Sequence, residues 1–141
     1  MFEQDYKYSK ISEMTKTSKG QASMKELLIT HYSSLKQIFE LTASSSSYPT
    51  ISLKDFKNFA DVSKIYDQHV SLTTIEQLFV ITNDTINLLK NRDERALHRY
   101  EFIEIIVRLA QVKYKLPKII PSLKDAVEKL IKDDILANNQ I

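Results

Sequence analysis

The chain lacks cysteine altogether and contains a single glycine and three prolines in 141 residues. Without cysteine there can be no disulfide, no thiolate metal site and no cysteine nucleophile. The glycine-rich loops of P-loop and dinucleotide-binding proteins need several glycines, so Gly20 alone excludes both classes. Scarce glycine and proline also favour a mostly helical fold, because strand-rich folds of this length need many tight turns.

The chain also lacks a long apolar run and a strong excess of charge. No apolar stretch approaches the roughly 20 residues that span a bilayer. The first ten residues, MFEQDYKYSK, contain neither an apolar signal core nor the arginine-rich pattern of a transit peptide. The net charge of +2 is too small for a dedicated nucleic-acid-binding protein. We therefore expect one cytoplasmic domain with no membrane partner.

The hydrophobic pattern predicts a polar tail followed by five helices. Residues 1–22 are polar and weakly periodic, so we expect a mobile tail or a short helix that becomes ordered on a partner. Downstream, apolar residues recur at helical spacing, and each helix starts near a serine, threonine or histidine followed by an acid. The predicted helix starts are Ser23, Ser52, Thr73, His98 and Ser122.

Two short stretches match each other position by position: Ile51-Ser-Leu-Lys-Asp55-Phe56 and Leu97-His-Arg-Tyr-Glu101-Phe102. Each has an apolar residue, three intervening residues, an acid and a phenylalanine. In an EF-hand loop the apolar residue at position 8 pairs with its counterpart in the other hand, and the acid is position 12. Over residues 24–115 the chain thus resembles the EF-hand superfamily, in particular its paired, calmodulin-like arrangement.

The resemblance implies an all-α fold. Residues 23–116 would form a degenerate EF-hand pair, made of a first unit at 23–66 and a second at 72–116. A short β-like link would join the two units. Residues 117–141 would form a C-terminal helix that packs on the pair.

The calcium ligands of an EF-hand are missing from both loops. In the first loop, ligand positions 1, 3 and 5 are Ser44, Ser46 and Tyr48. The same positions of the second loop are Lys90, Arg92 and Glu94. One late acid cannot offset the dehydration of calcium, so we expect no metal and no cofactor. Asp55 and Glu101 are instead interpreted as helix-capping carboxylates.

Another frame of the second loop leaves a calcium sensor as an alternative. It places Asn83, Thr85, Asn87 and Glu94 at positions 1, 3, 5 and 12. This frame has Leu88 where an EF-hand needs glycine, so it is the less favoured hypothesis.

The fourth predicted helix carries two apolar stripes. Phe102, Ile105, Ile106 and Leu109 form the first, and Ile103, Val107, Ala110 and Tyr114 form the second. A helix that is apolar on two faces must bury both. Either the C-terminal helix folds back over the second stripe, or a partner's amphipathic helix docks there. The predicted protein contacts are Ile103, Val107, Tyr114, Leu130 and Ile131.

A basic cluster supplies a second alternative, which is contact with an acidic protein surface or, less favoured, nucleic acid. Its members are Lys90, Arg92, Arg95 and Arg99, interleaved with two acids. We find no pairing of a nucleophile with a base, and therefore predict neither an enzyme nor a small-molecule substrate.

The favoured prediction is a calcium-insensitive protein-interaction or scaffold module, with an amphipathic helix or a cytoskeletal protein as its partner. The segment RYEFIEIIVRLA is similar to degenerate EF-hand segments in ciliary and flagellar proteins of protists. That resemblance implies a place in a cytoskeletal assembly, such as an axoneme.

Overall fold

The computed structural model describes residues 2–15, 17–44, 49–83 and 96–139. The α-helices in these ranges are α1 Phe2–Tyr8, α2 Ser18–Ala43, α3 Leu53–Val62, α4 Leu72–Thr82, α5 Arg99–Ala110 and α6 Leu123–Lys129. A 3-10 helix covers Ile11–Met14, and two short strands are β1 Ile51–Ser52 and β2 Ala96–Leu97. Helix α5 continues as a π-helix over Gln111–Lys115, and α6 continues as one over Leu130–Leu136. The predicted mostly helical character is confirmed.

The two strands form a small antiparallel sheet. Ile51 lies opposite Leu97, and Ser52 lies opposite Ala96. Ile51 and Leu97 are both fully buried. The predicted pairing of these two residues is therefore confirmed. The sheet joins the connection between α2 and α3 to the end of the connection between α4 and α5.

Three helix starts follow the prediction, and the other two differ from it. Ser52, His98 and Ser122 are N-caps, as predicted. Helix α2, however, begins at Ser18, because the Oγ1 of Thr17 accepts a hydrogen bond from the amide of Gly20 at 2.9 Å. Ser23 therefore lies inside the helix.

The start of α4 also differs from the prediction. Its N-cap is Ser71, whose Oγ accepts a hydrogen bond from the amide of Thr74 at 3.2 Å. The hydroxyl of Thr74 in turn accepts from the amide of Ser71 at 3.3 Å. This reciprocal pair satisfies two free amides, whereas the predicted cap, Thr73, lies in the first turn.

The N-terminal segment corrects the prediction of a polar tail. Helix α1 packs against α2 and α5. Ile11 is 1% exposed and Asp5 only 6% exposed. Glu104 of α5 accepts a hydrogen bond from the amide of Lys10 at 2.8 Å and one from Arg108 at 3.1 Å. Polar groups of this segment are thus compensated by charged residues of α5. The weak hydrophobic periodicity of the segment does not predict these contacts.

Helix α5 is the centre of the fold. Nine of its twelve residues are buried, and α1, α2, α4 and α6 all pack against it. The ring of Phe102 lies 5.5 Å from that of Phe39, 5.2 Å from that of Phe59 and 6.5 Å from that of Phe56, measured between centroids. This aromatic cluster joins α2, α3 and α5 into one core.

Candidate protein-interaction site

The C-terminal helix, which here means α6 with its π-helical continuation, fills the apolar groove between α2 and α5. It packs against both helices and against the π-helix that follows α5. Six of its apolar side chains are at most 7% exposed: Leu123, Ala126, Val127, Leu130, Ile131 and Ile135. The groove between α2 and α5 is therefore occupied by α6 of the same chain.

All five predicted contact residues are buried. The exposed fractions are 4% for Ile103, 0% for Val107, 7% for Tyr114, and 0% for both Leu130 and Ile131. The prediction that these residues are surface contacts is therefore corrected, because none of the five side chains is accessible in this conformation. Of the two arrangements left open by the sequence, the structure has the folded-back helix. Helix α5 is thus packed against the next helix along the chain.

A polar cluster fastens the far half of the C-terminal helix. Tyr114 donates a hydrogen bond to the carboxylate of Asp134. The Nζ of Lys113 donates to the same carboxylate at 3.2 Å and to the carbonyl of Lys64, at the end of α3, at 3.0 Å. Burial, together with the hydrogen bond to Asp134, raises the pKa of the Tyr114 phenol. The role of Lys113 is not predictable from the sequence, because nothing in its spacing indicates that an ammonium group is buried there.

The last turn of the C-terminal helix also contacts the end of α3. Asn139 Nδ2 donates to Ser63 Oγ at 2.8 Å. At its other end the helix begins after an exposed connector, in which Leu116 is 63% and Ile119 54% exposed. The hydrogen bonds and the ion pair are thus concentrated at the C-terminal end of the helix, and the rest of the helix is held by apolar contacts.

The basic cluster is only partly described by the structure. Lys90, Arg92 and Arg95 lie outside the described residues. The fourth member, Arg99, donates from Nε to Asp5 Oδ2 at 2.6 Å and from Nη2 to Asp5 Oδ1 at 3.2 Å. Its predicted role as an acidic-partner contact is therefore corrected, because the acidic partner is Asp5 of the same chain.

The calcium frame at 83–94 also falls mostly outside the described residues, since only Asn83 lies within them. Asn83 is buried at the C-cap of α4. Glu101 is 1% exposed, and its Oε1 accepts a hydrogen bond from the amide of His98 at 2.9 Å. The predicted capping role of Glu101 is thereby confirmed. Among the described residues, no three histidine, aspartate or glutamate side chains are grouped to hold a metal ion.

No protein-family model matches the chain, and searches of curated proteins and of solved structures found no match. In the part of the chain that the structure describes, no helix combines the length and the apolar character needed to cross a membrane.

Proposed function

We propose that this protein is a non-catalytic, calcium-insensitive protein-interaction module whose groove between α2 and α5 accepts an amphipathic helix. In the closed state that helix is the chain's own C-terminal helix, and in the bound state it is a helix of the partner. One observation carries the proposal: an amphipathic helix already occupies the groove, with its apolar side chains buried and Asp133 on its exposed side.

The geometry of the occupied groove defines the chemistry of the partner helix. It must offer apolar side chains at the spacing of Leu123, Val127, Leu130 and Ile135, because these are buried positions of the helix that packs on α2 and α5. It also needs a carboxylate one turn after the position of Leu130. In this chain that carboxylate is Asp134, which accepts hydrogen bonds from Lys113 and Tyr114. A buried ammonium group left without that carboxylate would be strongly destabilising.

The energetics make the exchange slow but feasible. Removing the C-terminal helix exposes five large apolar side chains, and each contributes about 1.5–3 kcal/mol on burial. The free energy of opening is therefore on the order of 10 kcal/mol. A partner helix with an equivalent apolar stripe offsets this free energy when its own side chains become buried in the groove. The exposed connector at 116–122 lets the helix leave without unfolding α5.

We further propose that the module is a degenerate member of the EF-hand superfamily. Two features support this: a helix–strand–helix order that occurs twice, and the register of Ile51 with Leu97. Calcium insensitivity is supported by the use of Glu101 as a helix cap and by the absence of acids at the early positions of the first loop. A cytoskeletal location, ciliary or otherwise, rests on the sequence resemblance alone.

Helix exchange can be tested with the full chain and a peptide that stands in for the partner. Cysteines replace Thr30 on α2 and Glu128 on α6, two residues that line one crevice between these helices. Because the chain has no other cysteine, a short bis-maleimide joins only these two positions. The chain also carries Leu130→Asp, which weakens the docking of its own C-terminal helix. A fluorescent peptide with the unmodified sequence of residues 121–139 is added, and its anisotropy is followed for hours. We expect the unlinked chain to take up the peptide and the linked chain to exclude it.

Two controls define the outcome. The double-cysteine chain with both thiols blocked separately must still bind the peptide, which separates closure of the groove from chemical modification. A peptide carrying Leu130→Asp must not bind, because it places a charge in the apolar groove. Equal uptake by linked and unlinked chains, or no uptake by either, would refute the proposal.

Calcium insensitivity is tested by calorimetric titration. We expect no calcium binding below about 1 mM, the weak limit for extracellular calcium modules. Tighter binding that Glu94→Ala abolishes would establish the calcium sensor instead.

A further inference from the structure

A crevice of about 540 Å³ opens between the start of α2, the connector that follows α5 and the start of α6. Its volume is in the range of small-molecule sites. It lies apart from the polar cluster around Asp134 that fastens the C-terminal helix. The lining residues are Met14, Thr15, Thr17, Lys19, Gly20, Ser23, Met24, Lys115, Ser122, Leu123 and Lys124.

The charge of the crevice is entirely positive. Lys19, Lys115 and Lys124 come from three separate segments, and no carboxylate is among the lining residues. None of these three ammonium groups forms an ion pair with another described residue. Lysines elsewhere in the fold do pair: Lys113 with Asp134, and Lys129 with Asp133. Three like charges around one cavity repel each other, and a bound anion would relieve that repulsion.

The remaining lining residues suit an anionic ligand that also has an apolar organic part. Met24 and Leu123 are buried and, with Met14, form an apolar part of the wall. The hydroxyls of Ser23 and Ser122 also line the crevice and can donate hydrogen bonds, whereas the hydroxyl of Thr15 already donates to the carbonyl of Ser12 at 3.3 Å. A phosphate monoester carries close to two negative charges and three acceptor oxygens, so it matches three lysines better than a single carboxylate does.

We propose that this crevice binds a small phosphorylated molecule, with its phosphoryl oxygens on Lys19, Lys115 and Lys124 and its body against Met14, Met24 and Leu123. The chain's one glycine is part of the wall. A Cβ at Gly20 would lie 3.0 Å from Thr17 Oγ1, the atom that caps α2. A side chain at this position would therefore need Thr17 Oγ1 to shift by a few tenths of an ångström. The phosphate is held by lysine side chains, so the absence of a glycine-rich loop does not exclude this site.

The binding test uses the full chain, ATP as the probe, EDTA to remove metals, and calorimetry at about 0.15 M salt. We expect a Kd in the range of about 10–100 μM. Each of Lys19→Gln, Lys115→Gln and Lys124→Gln should weaken binding at least about fivefold, and the triple variant should abolish it. Far-UV circular dichroism confirms that each variant is folded.

The matched control is the triple variant Lys36→Gln, Lys54→Gln and Lys57→Gln. It removes the same net charge from α2 and α3, at lysines that do not line the crevice. We expect the control to bind within about twofold of the unmodified chain, because general attraction is screened over a Debye length of about 8 Å. Equal weakening by the two triple variants would overturn the proposal.

Vesicles distinguish a soluble ligand from a lipid headgroup. Phosphatidylcholine vesicles with and without phosphatidylinositol bisphosphate are sedimented with the chain. Binding to ATP alone identifies a soluble phosphate ligand, whereas lysine-dependent sedimentation only with the phosphorylated lipid identifies a headgroup. Binding to neither probe refutes the site. The crevice exists with the C-terminal helix in place, so this result does not depend on whether helix exchange occurs.

Discussion

Removal of the ion pair between Asp5 and Arg99 tests whether the N-terminal segment is an integral part of the fold. Arg99 contacts the Asp5 carboxylate through two nitrogens, and the phenol of Tyr32 donates to the same carboxylate at 2.6 Å. The side chain of Asp5 is 7% exposed and that of Arg99 27% exposed. The variant Arg99→Gln leaves the buried carboxylate with the Tyr32 hydrogen bond but without its cation.

The magnitude follows from this burial. Breaking a fully buried ion pair costs about 3–5 kcal/mol, because one charge is left without compensation. Arg99 is partly solvated, so we expect the free energy of unfolding to fall by about 2–3 kcal/mol. For a chain of this length, that corresponds to a decrease in Tm of about 6–12 °C. If α1 detaches before the rest unfolds, the loss is limited to the free energy of its docking.

The assay is a double-mutant cycle with Asp5→Asn and Arg99→Gln, measured by urea unfolding. Limited proteolysis of the N-terminal segment reports whether α1 detaches on its own. The matched control is the pair Glu3 and Lys25, which joins α1 to α2 rather than to α5, at 2.9 Å, and is more exposed to solvent. We expect a coupling energy of about 1.5–3 kcal/mol for the buried pair and under 1 kcal/mol for the exposed one. Equal couplings would refute the assignment of α1 to the core.

Three further predictions concern helix starts, pH and packing. Thr17→Ala should reduce the free energy of unfolding by about 1 kcal/mol in urea unfolding, whereas Ser23→Ala should leave it within about 0.5 kcal/mol, because only Thr17 caps α2. The pKa of Tyr32 and that of Tyr114 are both raised from 10.0, first by burial and then by a hydrogen bond to a carboxylate. Their contribution to stability is therefore complete below pH 10 and is lost as pH rises above it; the corresponding phenylalanine variants should flatten that loss in urea midpoints from about pH 8 to 11. Ile131→Ala should cost about 2–5 kcal/mol in the same assay, since this residue is fully buried between helices; a cost below about 1 kcal/mol would place the C-terminal helix away from the groove.

Local sequence patterns predicted much of the fold correctly. Ile51 and Leu97 were predicted to pair because each occupies the same position in a matching short motif, and the sheet has that register. Ser52 and Ser122 were predicted as caps, and Glu101 as a capping carboxylate, because the side chain and the amide it meets are three residues apart. Such contacts depend on a few adjacent residues, so the sequence contains nearly all the information they need.

The sequence by itself determined the helical class, the positions of most helices and the need to bury two faces of α5. Only the tertiary structure decided what covers those faces. It turned Ile103 and Val107 into core residues, paired Arg99 with Asp5, and brought Lys19 and Lys124 to one crevice. The physical reason is that the local sequence around an apolar or charged side chain is the same whichever residue it contacts in the fold. The contact is determined by how segments far apart in the chain pack together, because that packing sets which side chains are buried and which charges are paired.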